Sequence, residues 1–424
     1  MTSERKTPDG AFVWTWLPNE TEPVVAGRIT ADGGRYLFNY GASYLARKDA
    51  IPLYAPELPL QRGRIEPLPN LEMASCIRDG SPDAWGRRVI INRLVGPSAA
   101  ETRADDLNEL TYLLQSGSDR IGALDFQRSA TDYIPRKKTQ ASYQELLEAA
   151  DRVEKGLPLT PVLDQAINHG TSIGGARPKS LIDDDDRKLI AKFSSSKDLY
   201  SVVKGEFMAM RLAALAGLTV PPVSVFETAG KDVLLIERFD RIKNKSGWQR
   251  RGMVSALTML QLHEMEARYA SYEDLAELIR HRFTNPKDTL KELYGRICFN
   301  VLCGNTDDHA RNHAAFWDGR ALTLTPAYDL DPQPRDTGEA TQAMAITRDG
   351  DRRSRLATCI DAAGEFLLSD ARARAIVDRL VQTIVDEFDD AADTVGLTGV
   401  DRRLLWRRAF LHPYAFEDYG PAPA

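Results

Sequence analysis

The stretch Asn305-Thr306-Asp307-Asp308-His309-Ala310-Arg311-Asn312, followed later by Tyr328-Asp329, constrains this chain more than any other part of it. Asp307 can accept a proton, Asn312 offers an oxygen suited to a hard cation, and Asp329 offers a second. These groups can share one reaction only if the chain doubles back between them. The segment between is suited to that: Ala314–Trp317 and Ala321–Leu324 flank Asp318-Gly319, a dipeptide that favours a tight β-hairpin. The hairpin returns Asp329 to face Asn312 across a metal.

The order of elements elsewhere predicts small mixed structure, then strands, then helices. Phe12–Leu17, Val24–Arg28 and Tyr36–Tyr40 read as short strands, with a proline- and leucine-rich loop from Ile51 to Leu60 and helical patterns over 82–95 and 105–116. Arg136-Lys137-Lys138-Thr139-Gln140 reads as a linker, and 142–154 has helical spacing. Strands follow at Ser180–Ile182 and Lys188–Phe193, with Asp183-Asp184-Asp185-Asp186 as the solvated tip between them rather than a metal cage. A helix spans 200–216 with Gly217 as its stop, strands return at Pro222–Phe226 and Val233–Glu237, and the chain is expected to be mainly helical from there to 304. Further helices are expected at 369–391 and 400–411.

The expected divisions are 1–135, 136–240 and 241–424: a small mixed α/β subdomain, a β-rich part and a helical lobe in an α+β protein. With 424 residues, 43% hydrophobic and 27% charged, the chain is long enough for a substantial core and carries no disordered bias. Its net charge of -6 argues against binding nucleic acid or anionic membrane through its overall field. The cysteines Cys76, Cys298, Cys303 and Cys359 are too scattered for a disulfide framework or a zinc knuckle. Met1–Lys6 lacks the apolar stretch of a leader, and no apolar run has membrane-spanning length, so a cytoplasmic protein is expected.

Three further pieces carry chemistry. Thr171–Lys179 places Gly174-Gly175 between two strands, where backbone amides can approach a phosphate and Arg177 and Lys179 add charge; its glycine spacing fits neither a Walker loop nor a dinucleotide fingerprint. In Leu189-Ile190-Ala191-Lys192-Phe193, alternation puts Lys192 on the face opposite Ala191 and Phe193, able to reach nucleotide phosphates; the plainer reading is an edge-strand lysine in water. Glu206, on the helix that follows, can form an ion pair with it. The backbone of Glu237 and Phe239 can meet an adenine edge between lobes, whereas Arg238, Asp240 and Arg241 alone read as an ion-paired strand end. With Asp307, Asn312 and Asp329, these pieces stand in the order used by protein kinases. A metal-hydrolase alternative draws on Asp307, Asp308, His309 and His313, because the histidines are four apart, but it lacks the glutamate of the zinc motif, and Asn-Thr-Asp-Asp favours a loop.

The chain resembles the HipA family of bacterial serine/threonine kinases, the toxin halves of HipBA-type toxin–antitoxin modules. Ser172–Lys179, Ile190–Phe193, Glu237–Arg241, Asn305–Asn312 and Pro326–Leu330 carry the catalytic half of the likeness; Phe38–Tyr40 through Leu58–Leu60 and Gly80–Gly86 carry the accessory half. The resemblance implies a two-lobed protein-kinase-like fold with an appended amino-terminal subdomain. It implies Asp307 as catalytic base and Asn312 and Asp329 as Mg²⁺ ligands. ATP contacts are implied for Gly174, Gly175, Ala176, Arg177, Lys179, Lys192, Glu237, Phe239, His309 and Arg311. It further implies autophosphorylation at Ser172, which would set nearly two negative charges where the ATP phosphates bind.

Asp308 stands where some members have glycine, Arg177-Pro178 replaces a Gln-Glu, and Thr306 precedes the base where eukaryotic kinases carry arginine. None of these removes a group that the chemistry requires. The partners implied are a HipB-like helix-turn-helix antitoxin that supplies most of the DNA contact, and a protein substrate such as an aminoacyl-tRNA synthetase. A catalytically silent antitoxin-binding module and a small-molecule kinase of aminoglycoside-phosphotransferase type are the rival readings.

Overall fold

The computed structural model describes residues 8–96, 102–136, 142–160, 162–163, 177–184, 186–195, 198–336 and 338–423. Ser172, Gly174, Gly175 and Ala176 lie outside the described residues, as does most of the expected linker after Arg136.

Alternating strands begin the chain. β1 (Gly10–Thr15), β2 (Val24–Asp32) and β3 (Arg35–Tyr40) join β4 (Leu124–Gln127) in an antiparallel sheet of order β3-β2-β1-β4. Between β3 and β4 lie α1 (Ala84–Val95) and α2 (Glu109–Gln115). Each starts on a side chain that satisfies an otherwise unpaired amide: Asp83 accepts from Gly86 N at 2.9 Å, and Asn108 from Thr111 N at 2.8 Å. α3 (Tyr143–Glu154) opens with a reciprocal Ser142–Glu145 cap, as the sequence Ser-x-x-Glu dictates.

A second antiparallel sheet contains β5 (Lys179–Asp184), β6 (Arg187–Phe193), β7 (Val223–Thr228) and β8 (Lys231–Glu237), in the order β5-β6-β8-β7. Strand alternation gives it two different faces. Ala191, Phe193 and Val233 pack with Leu146 and Leu147 of α3. Leu234 and Ile236 join Val203, Phe207 and Met210 of α4 (Val202–Leu215) in the main core. The acidic turn after β5 is exposed, with Asp183 paired to Lys188 and Asp184 to Arg187.

The expectation of mainly helical structure after β8 is corrected by three short strands: β9 (Arg241–Asn244), β10 (Gly247–Arg250) and β11 (Gly252–Ser255). β9 and β10 form a hairpin, while β11 starts a separate sheet. Beyond them come α5 (Tyr272–Arg282) and α6 (Pro286–Cys303), then the expected hairpin of β12 (Ala314–Trp317) and β13 (Leu322–Leu324) around Asp318-Gly319. β11 pairs with β12, anchoring the hairpin to the chain that leaves the upper sheet. α7 (Asp370–Thr394) packs on α4 and α6, and α8 (Gly399–Leu405) ends earlier than the expected 411.

α6 is buried almost all round from Leu290 to Cys303, as suits the central helix of a helical layer. Pro286 starts it with a preset φ, and Gly304 ends it in the left-handed conformation at φ 74°. A Cβ on Gly304 would lie 2.8 Å from the Ala409 carbonyl, so space as well as φ demands glycine there. One apolar cluster runs from Phe38 and Phe126 through Leu234 to Leu302 and Phe410, tying the amino-terminal sheet to both later layers. At roughly 2–3 kcal/mol for each fully buried Leu or Phe, such a cluster supplies the dominant favourable term in folding. Among the described residues no helix is long and apolar enough to cross a membrane.

Candidate active site

β6 is an interior strand, bonded to β5 on one side and β8 on the other, so Lys192 is not an edge lysine in water. Its side chain leaves the sheet on the face away from Phe193 and meets α4. There Lys192 Nζ donates to Glu206 Oε1 at 2.6 Å and to Asp329 Oδ1 at 2.5 Å. Glu206 is enclosed, while the Asp329 side chain is 41% exposed, so the triad runs from the interior to the surface. Burial pulls the Lys192 ammonium toward losing its proton, but Asp329 and Glu206 outweigh burial and its pKa rises. Lys192 in turn brings the Asp329 carboxyl down to about 2. Glu206 goes the other way: burial pushes its pKa up despite Lys192, so Asp329 is the firmer counter-ion of the two.

Asp329 has φ 61°, a left-handed conformation that a non-glycine residue adopts only when its surroundings hold it there. Two tethers tie its segment to the 305–312 loop. Asn305 Nδ2 donates to the Asp329 carbonyl at 3.5 Å, and Tyr328 Oη donates to the Arg311 carbonyl at 2.7 Å. The sequence-distant Lys192, Asp329 and 305–312 loop therefore converge.

The loop itself hangs on a buried carboxylate. Asp308, 2% exposed, receives Asn300 Nδ2 at 2.7 Å, the Tyr272 hydroxyl, and His313 Nε2 at 2.9 Å. Burial raises its pKa, but His313 and Tyr272 outweigh that and the net shift is downward. With Asp308 turned inward, its neighbour Asp307 is exposed. Asn312 Nδ2 donates to the Asp307 carbonyl at 3.3 Å, which commits the amide nitrogen and leaves the side-chain oxygen for another task. Asn312 Oδ1 and the Asp329 carboxylate are oxygen donors of the type that could hold Mg²⁺. His313 is spent on Asp308 in the core, and among the described residues no group of three or more His, Cys, Asp or Glu could hold a metal. The zinc-hydrolase alternative therefore lacks its ligand set there.

The remaining expected residues fall around this centre. Lys179 is the cross-strand partner of Lys192, 2% exposed, with Asp83 Oδ2 3.3 Å from its ammonium. Arg177 pairs with Asp198 at 2.7 Å. His309 lies in the field of Asp329, with its Nδ1 buried and lacking a hydrogen-bond partner among the described residues. Arg311 turns to Glu264, 3.3 Å away, toward the amino-terminal subdomain. Glu237 ends β8, and the Phe239 ring packs on Tyr328 and Phe316 with centroids 5.8 and 5.9 Å apart. Arg238 and Arg241, both buried, grip buried Asp240 and half-buried Asp119 in a cluster that joins β8 to the segment before β4. Sequence reasoning missed Asp119 and Asp331, and quoted Asp83 only inside a motif. Asp331 has a buried Oδ1 lacking a hydrogen-bond partner among the described residues, and burial together with the charge of Glu206 pushes its pKa up to about 7.

Residues 171–388 match the HipA-like C-terminal domain, and residues 21–127 match the HipA N-terminal domain. A Sinorhizobium fredii protein whose given name proposes a kinase is 26% identical over 324 residues, covering 72% of this chain and 74% of its own. The serine/threonine-protein kinase toxin HipA of Shewanella oneidensis is 28% identical over 173 residues, 37% of this chain and 40% of its own. In structure, the chain is similar to a chain from the Shewanella oneidensis complex of HipA, HipB and operator DNA, with TM-score 0.66, 20% identity, and coverage of 91% and 94%. That likeness shows a shared two-lobed, kinase-like α+β fold.

Proposed function

The chain belongs to the HipA family, and we propose that it is the serine/threonine-protein kinase of a toxin–antitoxin pair, moving the γ-phosphoryl group of ATP to a protein hydroxyl. The observation that carries this reading is the clasp of Lys192 between Glu206 and Asp329 beside the Asp307 loop. A buried ammonium fixed by an interior carboxylate and presented at a cleft is what binding polyphosphate requires.

Lys192 holds phosphate oxygens; Asn312 and Asp329 would hold Mg²⁺, which would neutralise charge on the phosphates. Asp307 orients the serine or threonine hydroxyl and takes its proton as the hydroxyl oxygen bonds to the γ-phosphorus. The bond from that phosphorus to the bridging oxygen breaks, and ADP leaves with the electron pair. Phe239, stacked near Tyr328, gives the adenine an apolar neighbour at the end of β8. The partners are a HipB-like helix-turn-helix antitoxin, through which the chain meets DNA, and a translation protein of the aminoacyl-tRNA synthetase type as substrate. The reaction takes place in the cytoplasm, and Ser172 is the site of self-modification.

Incubation of the purified chain with ATP and Mg²⁺ tests the reading by intact mass. The expected result is a gain of one phosphate, lost in Ser172→Ala and in Asp307→Ala. Phosphate gain by Asp307→Ala at the wild-type rate would remove Asp307 from the mechanism; no gain by wild type, with no transfer to any protein, would favour the silent binding module. Phosphorylation of a metabolite alone would favour the small-molecule kinase.

A further inference from the structure

The segment from Arg78 to Arg87 belongs to the amino-terminal subdomain, yet it touches both later parts of the chain. Asp79 is half-buried and accepts from Ser255 N at 2.8 Å and from the Ser255 and Thr258 hydroxyls, each at 2.8 Å, where the chain enters the helical layer. Arg78 shares Glu264 with Arg311 of the catalytic loop. Asp83 reaches the other way. Its Oδ1 caps α1 through Gly86 N at 2.9 Å, while its Oδ2 lies 3.3 Å from the Lys179 ammonium, 96 residues along the chain.

Lys179 and Lys192 are directly paired across β5 and β6, so both ammonium groups leave the same face of the sheet. Each has a carboxylate from a different part of the chain: Glu206 and Asp329 serve Lys192, and Asp83 serves Lys179. A lysine that is 2% exposed and beside a second cation needs such a partner to stay charged. Burial pulls the Lys179 pKa down, with Asp83 opposing it. The cap bond to Gly86 fixes the Asp83 carboxylate before it meets Lys179, so the position of the ammonium is set by α1.

We propose that Asp83 is a positioning residue for the nucleotide phosphates, acting through Lys179, so that the amino-terminal subdomain completes the phosphate site of the kinase core. This rests on the kinase reading above. It assigns the subdomain a part in nucleotide binding, separate from any part in holding a partner.

Asp83→Asn removes the charge and keeps a good helix cap, and Asp83→Ser keeps the cap but is too short to reach Lys179. Either variant of the full chain is titrated with a fluorescent Mg·ATP analogue and, separately, with adenosine, after a thermal melt confirms folding. The expected result is about tenfold weaker binding of the ATP analogue with adenosine affinity unchanged, since Lys179 meets phosphate and not base. In a Lys179→Met background, Asp83→Asn should add no more than about a twofold further loss, because the two residues act as a unit. Unchanged ATP affinity in a folded Asp83 variant, equal loss for ATP and adenosine, or full additivity with Lys179→Met would overturn the inference while leaving the kinase reading intact. A wild-type chain that binds no ATP would overturn both.

Discussion

Asp307 and Asp308 are neighbours with opposite surroundings, and that difference divides what a substitution should do. Asp307 is exposed and Asp308 is enclosed among Tyr272, Asn300 and His313. Asp307→Ala should change stability by less than about 0.5 kcal/mol while abolishing transfer. Asp308→Ala strands three buried donors and should cost about 3–5 kcal/mol in urea unfolding. Equal stability of the two variants would contradict the assignment. The approach of the Asp329 segment to the 305–312 loop was legible in sequence because the hairpin between them imposes a return of the chain. The role of Asp308 was not, since its partners Asn300 and Tyr272 lie 8 and 36 residues away on two helices. The loop expected from Asn-Thr-Asp-Asp is there, but its turning of His313 to Asp308 had no signal in the four-residue interval from His309.

At the level of elements, patterns were readable where burial is one-sided and strong. β6 alternates between an α3 face and an α4 face, so the direction of Lys192 followed from the sequence alone. β9 and β10 did not announce themselves because they are short, and Lys243, Asn244 and all of β10 are at least partly exposed, which erases the alternation. The end of α8 escaped because the chain takes left-handed turns at Arg407 and Leu411, φ 61° and 53°, without glycine. Just beyond, His412 is buried and its Nδ1 accepts from Tyr414 N at 3.1 Å. Burial, with Arg335 and Arg407 nearby, lowers its pKa from 6.5 to about 4. A base held neutral in the fold binds fewer protons than the unfolded chain, so its contribution is present above pH 6.5 and is lost as pH falls toward about 4. Thermal melts from pH 7 to about 4 should show a smaller loss in His412→Asn, which can keep the cap without titrating. Parallel losses in both proteins would show that His412 does not carry the effect.

For the whole molecule, the amino-terminal subdomain is fused to the kinase core by a continuous apolar cluster and by Asp119, Arg238, Asp240 and Arg241. The sequence offered Arg238, Asp240 and Arg241 as an ordinary ion-paired strand end, because Asp119 stands far from Arg238 in the chain. Calorimetry should therefore give a single unfolding transition, and Asp240→Ala, which leaves two buried guanidinium groups short of a partner, should lower stability by about 3–5 kcal/mol. Two separate transitions would show independent domains. The two-lobed plan was legible from element order, whereas the merging of the subdomain into the cleft depends on long-range ion pairs that have no local signature. The central claim is that Lys192, Asn312 and Asp329 meet around one magnesium nucleotide. Calorimetric titration with a non-hydrolysable ATP analogue tests it most directly. Binding should be at least about tenfold tighter with Mg²⁺ than with chelator, and Asp329→Asn should erase that difference. Affinity independent of both Mg²⁺ and Asp329, or no binding by the wild-type chain, would contradict the account.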